Sequence, residues 1–217
     1  MSNSNKKKKT KKEILFSSLV TIIAIALISL CIILICKLSI EKEHQDDYDR
    51  LIDSYYEQQE IKNDYSLYDK DTVSTNGDSV EFKLNNVDAI LRVEALDIVM
   101  PVCSGNYVAD IEAFRISTLS PEMVLGKTTY TIMGHHAKML NCSFGWLHKL
   151  EIGTPITLEK DGEIYNYVVD DIYVGYAADM PELFTILDED VVYMATCDYT
   201  LGRSSKIVYR VAKCTRY

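Results

Sequence analysis

The chain of 217 residues is long enough for one folded domain plus accessory segments, and its formal net charge at pH 7 is −9. Residues 1–37 hold seven lysines and one acid, whereas residues 38–217 hold 16 Lys and Arg against 31 Asp and Glu. An acidic body argues against nucleic-acid binding, which requires a basic surface.

The first predicted element is a membrane-spanning helix over residues 14–37, preceded by a basic tail over residues 1–13. Ile14 to Cys36 is a run of 23 uncharged residues, long enough as a helix to cross about 30 Å of hydrocarbon. Lysines precede the run and acids follow it, so the positive-inside rule places the N-terminus in the cytoplasm and the remainder outside. A cleaved signal peptide is the alternative, but the run lacks the small-residue cleavage site that signal peptides carry.

Residues 38–78 are predicted to form a stalk helix followed by a linker. Apolar side chains recur here at helical spacing: they are Tyr48, Leu51, Ile52, Tyr55 and Tyr56. Residues 64–78 are rich in Asp, Ser, Thr, Asn and Gly, which is typical of a linker. We expect the stalk only to separate the membrane helix from the domain that follows.

From residue 79 onward, short β-prone runs replace the helical periodicity. The predicted strands are Val80–Leu84, Ala89–Val93, Ile98–Cys103, Thr128–Met133, Pro155–Glu159, Glu163–Val174, Val191–Thr196 and Lys206–Lys213. The Asp161-Gly162 pair is typical of a tight hairpin turn. Many short strands with little helix predict an all-β fold over 79–217, a closed or nearly closed β-barrel.

Two predicted strand ends carry side chains that could perform chemistry. His135 and His136 follow one strand, and Cys197 ends another. A thiol becomes a useful nucleophile when a base or a positive charge lies close to it. Arg203 in the following loop and Arg210 in the last strand are both candidates to stabilise a developing oxyanion.

Cys197 also has interpretations that involve no catalysis. Four cysteines follow the membrane run, and an even number outside the cell permits disulfides: they are Cys103, Cys142, Cys197 and Cys214. The chain could then be a non-catalytic bitopic envelope protein with a disulfide-stapled β-domain. Metal chemistry is disfavoured because the sequence has no Cys-x-x-Cys or His-x-x-x-His motif, and no glycine-rich phosphate loop indicates a nucleotide cofactor.

Three stretches occur in an order that belongs to a known family: VEALDIVMPV, TIMGHHAKMLNCSFGWLHKLEIGTPITL and YMATC followed by an arginine. Over roughly residues 80–217 the chain resembles the sortases of Gram-positive bacteria, membrane-anchored cysteine transpeptidases on an eight-stranded β-barrel. The family pattern Thr-Leu-x-Thr-Cys has Tyr193 and Met194 at its first two positions here. The chain has neither the lid motif of pilin-polymerising members nor the long helical insert of class B. The resemblance is therefore to class A or class D.

The resemblance implies roles for individual residues. Cys197 would be the nucleophile, His135 the general acid and base, and Arg203 the oxyanion stabiliser, with Arg210 as the alternative. Strand side chains alternate between faces, so Arg210 cannot share a face with a residue at an odd offset. We therefore prefer Arg203.

The resemblance also implies a reaction and its partners. The chain would act as a thiol-protease-type hydrolase and acyltransferase that cleaves an LPxTG-like sorting signal after Thr. Its substrates would be secreted proteins with a C-terminal sorting signal, and its acceptor an amine of a peptidoglycan precursor or a pilin. Thr196 and Ala195 would contact the substrate. No cofactor is required, and although Ca²⁺ orders a loop in some relatives, we expect residues 188–190 to be solvated acids.

Overall fold

The computed structural model describes residues 11–66, 87–105, 107–137, 142–199 and 208–217. The chain divides into two compact units, Met1–Lys42 and Glu43–Tyr217. The first element is helix α1 (Lys11–Ser66). One stretch of α1 is long and apolar enough to cross a membrane, and its large apolar side chains are exposed. This agrees with the predicted candidate for a membrane span.

The boundary of the barrel unit differs from the predicted one. We expected a stalk and linker over 38–78 apart from a barrel over 79–217, yet the second unit begins at Glu43. The reason is that Tyr48 and Tyr55 of α1 are each only 4% exposed and pack against the barrel. Residues 67–78 of the predicted linker, and the predicted strand Val80–Leu84, lie outside the described residues.

Eight strands form a closed barrel in the order β1-β2-β3-β4-β7-β8-β6-β5. Their bounds are β1 Val87–Val93, β2 Ile98–Cys103, β3 Ile116–Thr118, β4 Tyr130–Gly134, β5 Pro155–Lys160, β6 Glu163–Tyr176, β7 Val191–Cys197 and β8 Val208–Arg216. The β2–β3 and β4–β7 pairs are parallel, and the remaining pairs are antiparallel. The predicted all-β barrel is confirmed. The three-residue strand β3 was not predicted, because it is too short to show a β period.

The β5–β6 hairpin turns at the predicted position. The φ angles of Asp161 and Gly162 are 52° and 79°. Positive φ at both central residues is the requirement of a type I′ turn, whose twist matches that of the flanking strands. A short helix, α2 (Tyr107–Glu112), connects β2 to β3.

Apolar side chains form two clusters on opposite faces of the sheet. The larger one fills the barrel and includes Met194 and Ala212. The smaller one, which we call the outer cluster, consists of Met133, Met180, Leu183, Tyr193, Ala195 and Val211. Because successive residues of a strand face opposite sides, β7 contributes Met194 inward and Ala195 outward. This alternation decides which side chains near Cys197 share its face.

Candidate active site

The parallel pairing of β4 with β7 brings the two candidate strand ends together. Gly134, the last residue of β4, pairs with Thr196, so the chain leaves β4 at His135 beside the point where Cys197 ends β7. Neighbouring strands of a sheet are about 4.8 Å apart. The Thr196 hydroxyl donates to the carbonyl oxygen of Gly134 over 2.8 Å and ties the strand ends together. Met133 and Ala195, two residues earlier, both belong to the outer cluster. Alternation along β7 therefore places Cys197 on that same face, and His135 directly follows the last residue of β4.

Glycine at position 134 is required by close packing. A Cβ there would lie 2.7 Å from Ser143 Oγ and 2.9 Å from Ile116 Cγ2. These contacts are too short for any side chain, so the segment that contains Ser143 can approach the end of β4 only beside a glycine. The glycine before the histidine is thus part of the architecture that holds His135.

Cys197 is half-buried, and its surroundings control its ionisation. Burial raises the pKa of the Cys197 thiol, while hydrogen bonds from the Tyr199 hydroxyl and the backbone N–H of Cys197 act in the opposite direction. Neutral thiol is favoured by this environment, so a nearby base must accept the proton before the sulfur can act as a nucleophile.

The interpretation of Cys197 as half of a disulfide has no structural support. All six cysteines lie in the described part of the chain, and none of them forms a disulfide. Cys103, Cys142 and Cys214 are buried, whereas Cys197 is partly accessible. Burial also raises the pKa of Cys103 and of Cys214 to about 12, which keeps these thiols protonated and unreactive.

The two adjacent histidines have different neighbours. The ring of His135 packs against Phe114, with 5.1 Å between ring centroids. The ring of His136 lies 5.6 Å from that of Tyr199 and 6.5 Å from that of His148. His136 therefore lies beside Tyr199, two residues after Cys197, a proximity that the sequence did not indicate.

The structure describes one of the two candidate arginines. Arg203 lies within residues 200–207, outside the described part. Arg210 pairs with Thr196 in the β7–β8 register, whereas Tyr209 pairs with Cys197. Arg210 Nε donates to Asp198 Oδ2 over 2.9 Å, and the Asp198 side chain is only 1% exposed. Arg210 is thus on the face opposite to Cys197, in an ion pair with a buried carboxylate.

The predicted substrate contacts, Thr196 and Ala195, are both fully buried. Thr196 is on the inner face, and its hydroxyl donates to the carbonyl oxygen of Gly134. Thr196 therefore connects β7 to β4. Ala195 lies in the floor of the outer cluster. Sequence reasoning missed two tyrosines that pack against this cluster, Tyr107 and Tyr209, because only the strand register and the position of α2 identify them.

A cavity of about 660 Å³ opens on the outer face beside this cluster. It shares Met180 and Tyr193 with the cluster, and Tyr173, Glu182 and Lys213 add polar groups to its lining. Tyr193 replaces a smaller residue of the family pattern, so its ring now forms part of this wall. Among the described residues, no group of three or more His, Cys, Asp or Glu is placed to hold a metal ion.

Comparison with known proteins identifies the family. Residues 91–213, more than half of the chain, match the model of the sortase domain, and the chain therefore belongs to the sortase family of cysteine transpeptidases. Members of this family act in general on sorting-signal proteins and amine acceptors.

Solved structures of several sortase classes share the fold. A sortase D5 transpeptidase from Clostridium perfringens is 18% identical with a TM-score of 0.54, over 82% of this chain and 99% of that one. Sortase A from Listeria monocytogenes is 23% identical with a TM-score of 0.50, over 61% and 91%. Sortase C-1 from Actinomyces oris is 18% identical with a TM-score of 0.50, over 62% and 76%. A comparison with curated protein sequences found no significant match.

Proposed function

We propose that this sortase is a membrane-anchored transpeptidase that cleaves an LPxTG-like sorting signal after its threonine. It then joins the acyl group to an amine of a cell-wall precursor or a pilin. The observation that carries the proposal is that His135 directly follows β4 where Cys197 ends the neighbouring strand β7 of a sortase barrel. We further propose that the peptide lies along the outer cluster and the adjoining cavity, which share Met180 and Tyr193.

The reaction would begin with proton transfer. Because burial raises the pKa of Cys197, the thiol must lose its proton to a base as the sulfur attacks the threonine carbonyl. His135 is that base. Arg203 and backbone N–H groups would stabilise the negative charge on the carbonyl oxygen of the tetrahedral intermediate.

The second half of the reaction would use the same residues. His135 donates its proton to the departing amine, the peptide bond breaks and a thioester links the threonine carbonyl to Cys197. An incoming amine then attacks this thioester and loses a proton to His135. The bond between the carbonyl carbon and the sulfur breaks, the new amide forms, and His135 returns the proton to the departing sulfur, which regenerates the thiol. These steps require no redox or metal chemistry, and we propose that no cofactor takes part and that Ca²⁺ is not needed.

The proposed location follows from the N-terminal sequence. The lysine-rich tail before the apolar stretch of α1 favours a cytoplasmic N-terminus, with the barrel outside the cell. Sorting signals on secreted proteins and cell-wall amines are accessible to an enzyme on that side.

Mass spectrometry of the acyl-enzyme tests the proposed function. The full-length protein is incubated with a library of peptides that vary around an LPxTG-like core, and adducts are mapped to cysteines. We expect a thioester at Cys197 that ends in threonine, and no adduct in Cys197→Ala, which removes the nucleophile without overpacking the strand end. A folded protein that forms no adduct with any peptide would favour the non-catalytic envelope protein. Thiol titration would then show whether Cys197 has entered a disulfide.

A further inference from the structure

One hydroxyl group on helix α1 joins two loop segments beside the proposed general acid. The Tyr48 hydroxyl donates to the carbonyl oxygen of Phe114 over 2.6 Å and accepts from the backbone N–H of Ser143 over 3.0 Å. Tyr48 is 4% exposed, so little water reaches these bonds. Hydrogen bonds in such an environment are stronger than in water, and their loss is correspondingly costly.

Both partners of Tyr48 have backbone conformations that need support. The φ angles of Phe114 and Ser143 are 59° and 49°, in the left-handed region that residues with side chains seldom adopt. Such conformations persist when surrounding contacts determine them. The Tyr48 hydroxyl is bonded to the carbonyl oxygen of Phe114 and to the N–H of Ser143.

These two segments hold His135 in turn. The N–H of His135 donates to Ser143 Oγ over 2.8 Å, and its carbonyl oxygen accepts from the N–H of Phe144 over 3.1 Å. The imidazole packs against the ring of Phe114. The backbone of His135 is thus bonded to the segment that contains Ser143, and its ring packs against Phe114 in the other segment. Tyr48 bonds to both segments.

Neighbouring residues hold α1 at the same place. Asp47 accepts two hydrogen bonds from the Arg115 guanidinium, over 2.9 Å and 3.1 Å. The ring of His44 lies 5.2 Å from the ring of Phe114. Phe114 also contacts the ring of His135. A two-bond arginine–carboxylate pair fixes geometry better than a single contact does. The helix therefore reaches the surroundings of His135 through three residues, His44, Asp47 and Tyr48.

We propose that Tyr48 of helix α1 is a positioning residue for His135. This inference rests on the proposed function, in which His135 transfers the proton. Proton transfer requires heavy-atom separations of about 2.6–3.2 Å. Displacement of a catalytic group by about 1 Å can cost about 10²-fold in rate.

The same helix provides a matched control. Tyr55 is also 4% exposed, and its hydroxyl likewise joins backbone groups: it accepts from the N–H of Asp161 and donates to the carbonyl of Glu159. These partners lie at the β5–β6 hairpin, away from His135. Tyr48→Phe and Tyr55→Phe each remove one buried hydroxyl from α1 and leave the ring in place.

The test compares both variants in the full-length protein, with thermal unfolding, peptide kinetics and NMR of the histidine rings. We expect both to lower the unfolding midpoint, but only Tyr48→Phe to reduce kcat about tenfold or more with little change in KM. Only Tyr48→Phe should also shift the ring resonances of His135. Equal effects of the two variants on kcat, or unchanged His135 resonances in Tyr48→Phe, would overturn the inference.

A further variant separates this inference from the proposed function. If His135→Ala retains wild-type kcat, the proposed acid–base role is wrong, whatever the result at Tyr48. The ring resonances of His135 in Tyr48→Phe would still show whether Tyr48 positions that histidine. If His135→Ala is inactive while Tyr48→Phe turns over at the wild-type rate, the proposed function stands and the positioning role of Tyr48 fails.

Discussion

Cys197 lies in surroundings that disfavour its own reactive form. Because burial raises its pKa, less thiolate is present at pH 7 than in a solvated cysteine, whose pKa is about 8.5. We expect iodoacetamide to alkylate Cys197 slowly at neutral pH, with a rate that rises only as the pH passes above that ordinary value. The measurement is the alkylation rate from pH 6 to 10, with the labelled cysteine located by mass spectrometry. A midpoint below the ordinary value would show that a cation or charged histidine outweighs burial.

The two adjacent histidines should contribute unequally. His135 directly follows Gly134, which pairs with Thr196 next to Cys197, while His136 packs near Tyr199 and His148. General acid–base assistance typically supplies about 10²–10⁴-fold in rate. His135→Ala should lose activity in that range and His136→Ala far less, measured as kcat/KM with one peptide substrate. Equal losses would undo the assignment, and a larger loss for His136→Ala would transfer the acid–base role to it.

The two candidate arginines should differ in what their replacement changes. Arg203→Lys keeps the charge but loses the planar fork, and loss of an oxyanion donor costs on the order of 10²–10³ in kcat in a well-studied protease. Arg210→Lys should mainly lower the unfolding temperature, because Arg210 pairs with the buried carboxylate of Asp198 on the other face. Kinetics and melting curves of both variants test this. A stable but inactive Arg210→Lys beside a normal Arg203→Lys would reverse the assignment.

Residue identities were easier to predict than residue orientations. A cysteine and a histidine at strand ends are visible in the sequence, because β-prone runs and the loops after them are local features. The face occupied by Thr196 depends on which residue of β4 it pairs with, and Gly134 is 62 positions away. A one-residue change of register moves every side chain of a strand to the other face, so orientation is not a local property.

At the scale of elements, the stalk was the main difference between prediction and structure. Its tyrosines at helical spacing predicted a helix with one apolar face, and that helix exists. The pattern could not show that Tyr48 and Tyr55 face the barrel, because their hydrogen-bond partners are backbone groups. Backbone groups leave no trace in residue identity, so a docked helix and a solvated stalk look alike in sequence.

Two truncations should separate the parts of α1. Removal of residues 1–37 cuts within the first unit and should leave a soluble, folded, active domain. Removal of residues 1–66 also deletes two buried tyrosines, and the loss of one large buried aromatic side chain typically costs about 3–5 kcal/mol. The longer truncation should therefore unfold at lower temperature and lose activity. Thermal unfolding and peptide turnover measure both effects. Aggregation of the protein that lacks only residues 1–37 would contradict the first expectation.

At the scale of the whole molecule, the class of fold was predictable and the strand order was not. Short β-prone runs with turn signals predict a barrel because few other architectures accommodate so many strands with little helix. The order β4-β7-β8-β6 depends on crossings between distant segments. Such pairings reflect the packing of the complete chain rather than any one stretch of sequence.

The proposed membrane orientation makes a prediction for intact cells. The six lysines that precede the apolar run should keep the N-terminus inside, so a protease added outside should digest the barrel and leave the N-terminal tail protected. Immunodetection of tags at each terminus checks this, with permeabilised cells as the control in which both tags are lost. Protection of the C-terminal tag in intact cells would show the opposite orientation.

The parallel pairing of β4 with β7 has a consequence for folding kinetics. His135 and Cys197 become neighbours only when these strands meet, although Gly134 and Thr196 are 62 residues apart. Long-range parallel pairings close large loops before they gain contacts, and they form slowly. The β5–β6 hairpin, with its short turn, has no such delay. During refolding, enzymatic activity should therefore return after the β-sheet signal in circular dichroism, and simultaneous recovery of the two signals would show that barrel closure is not the late step.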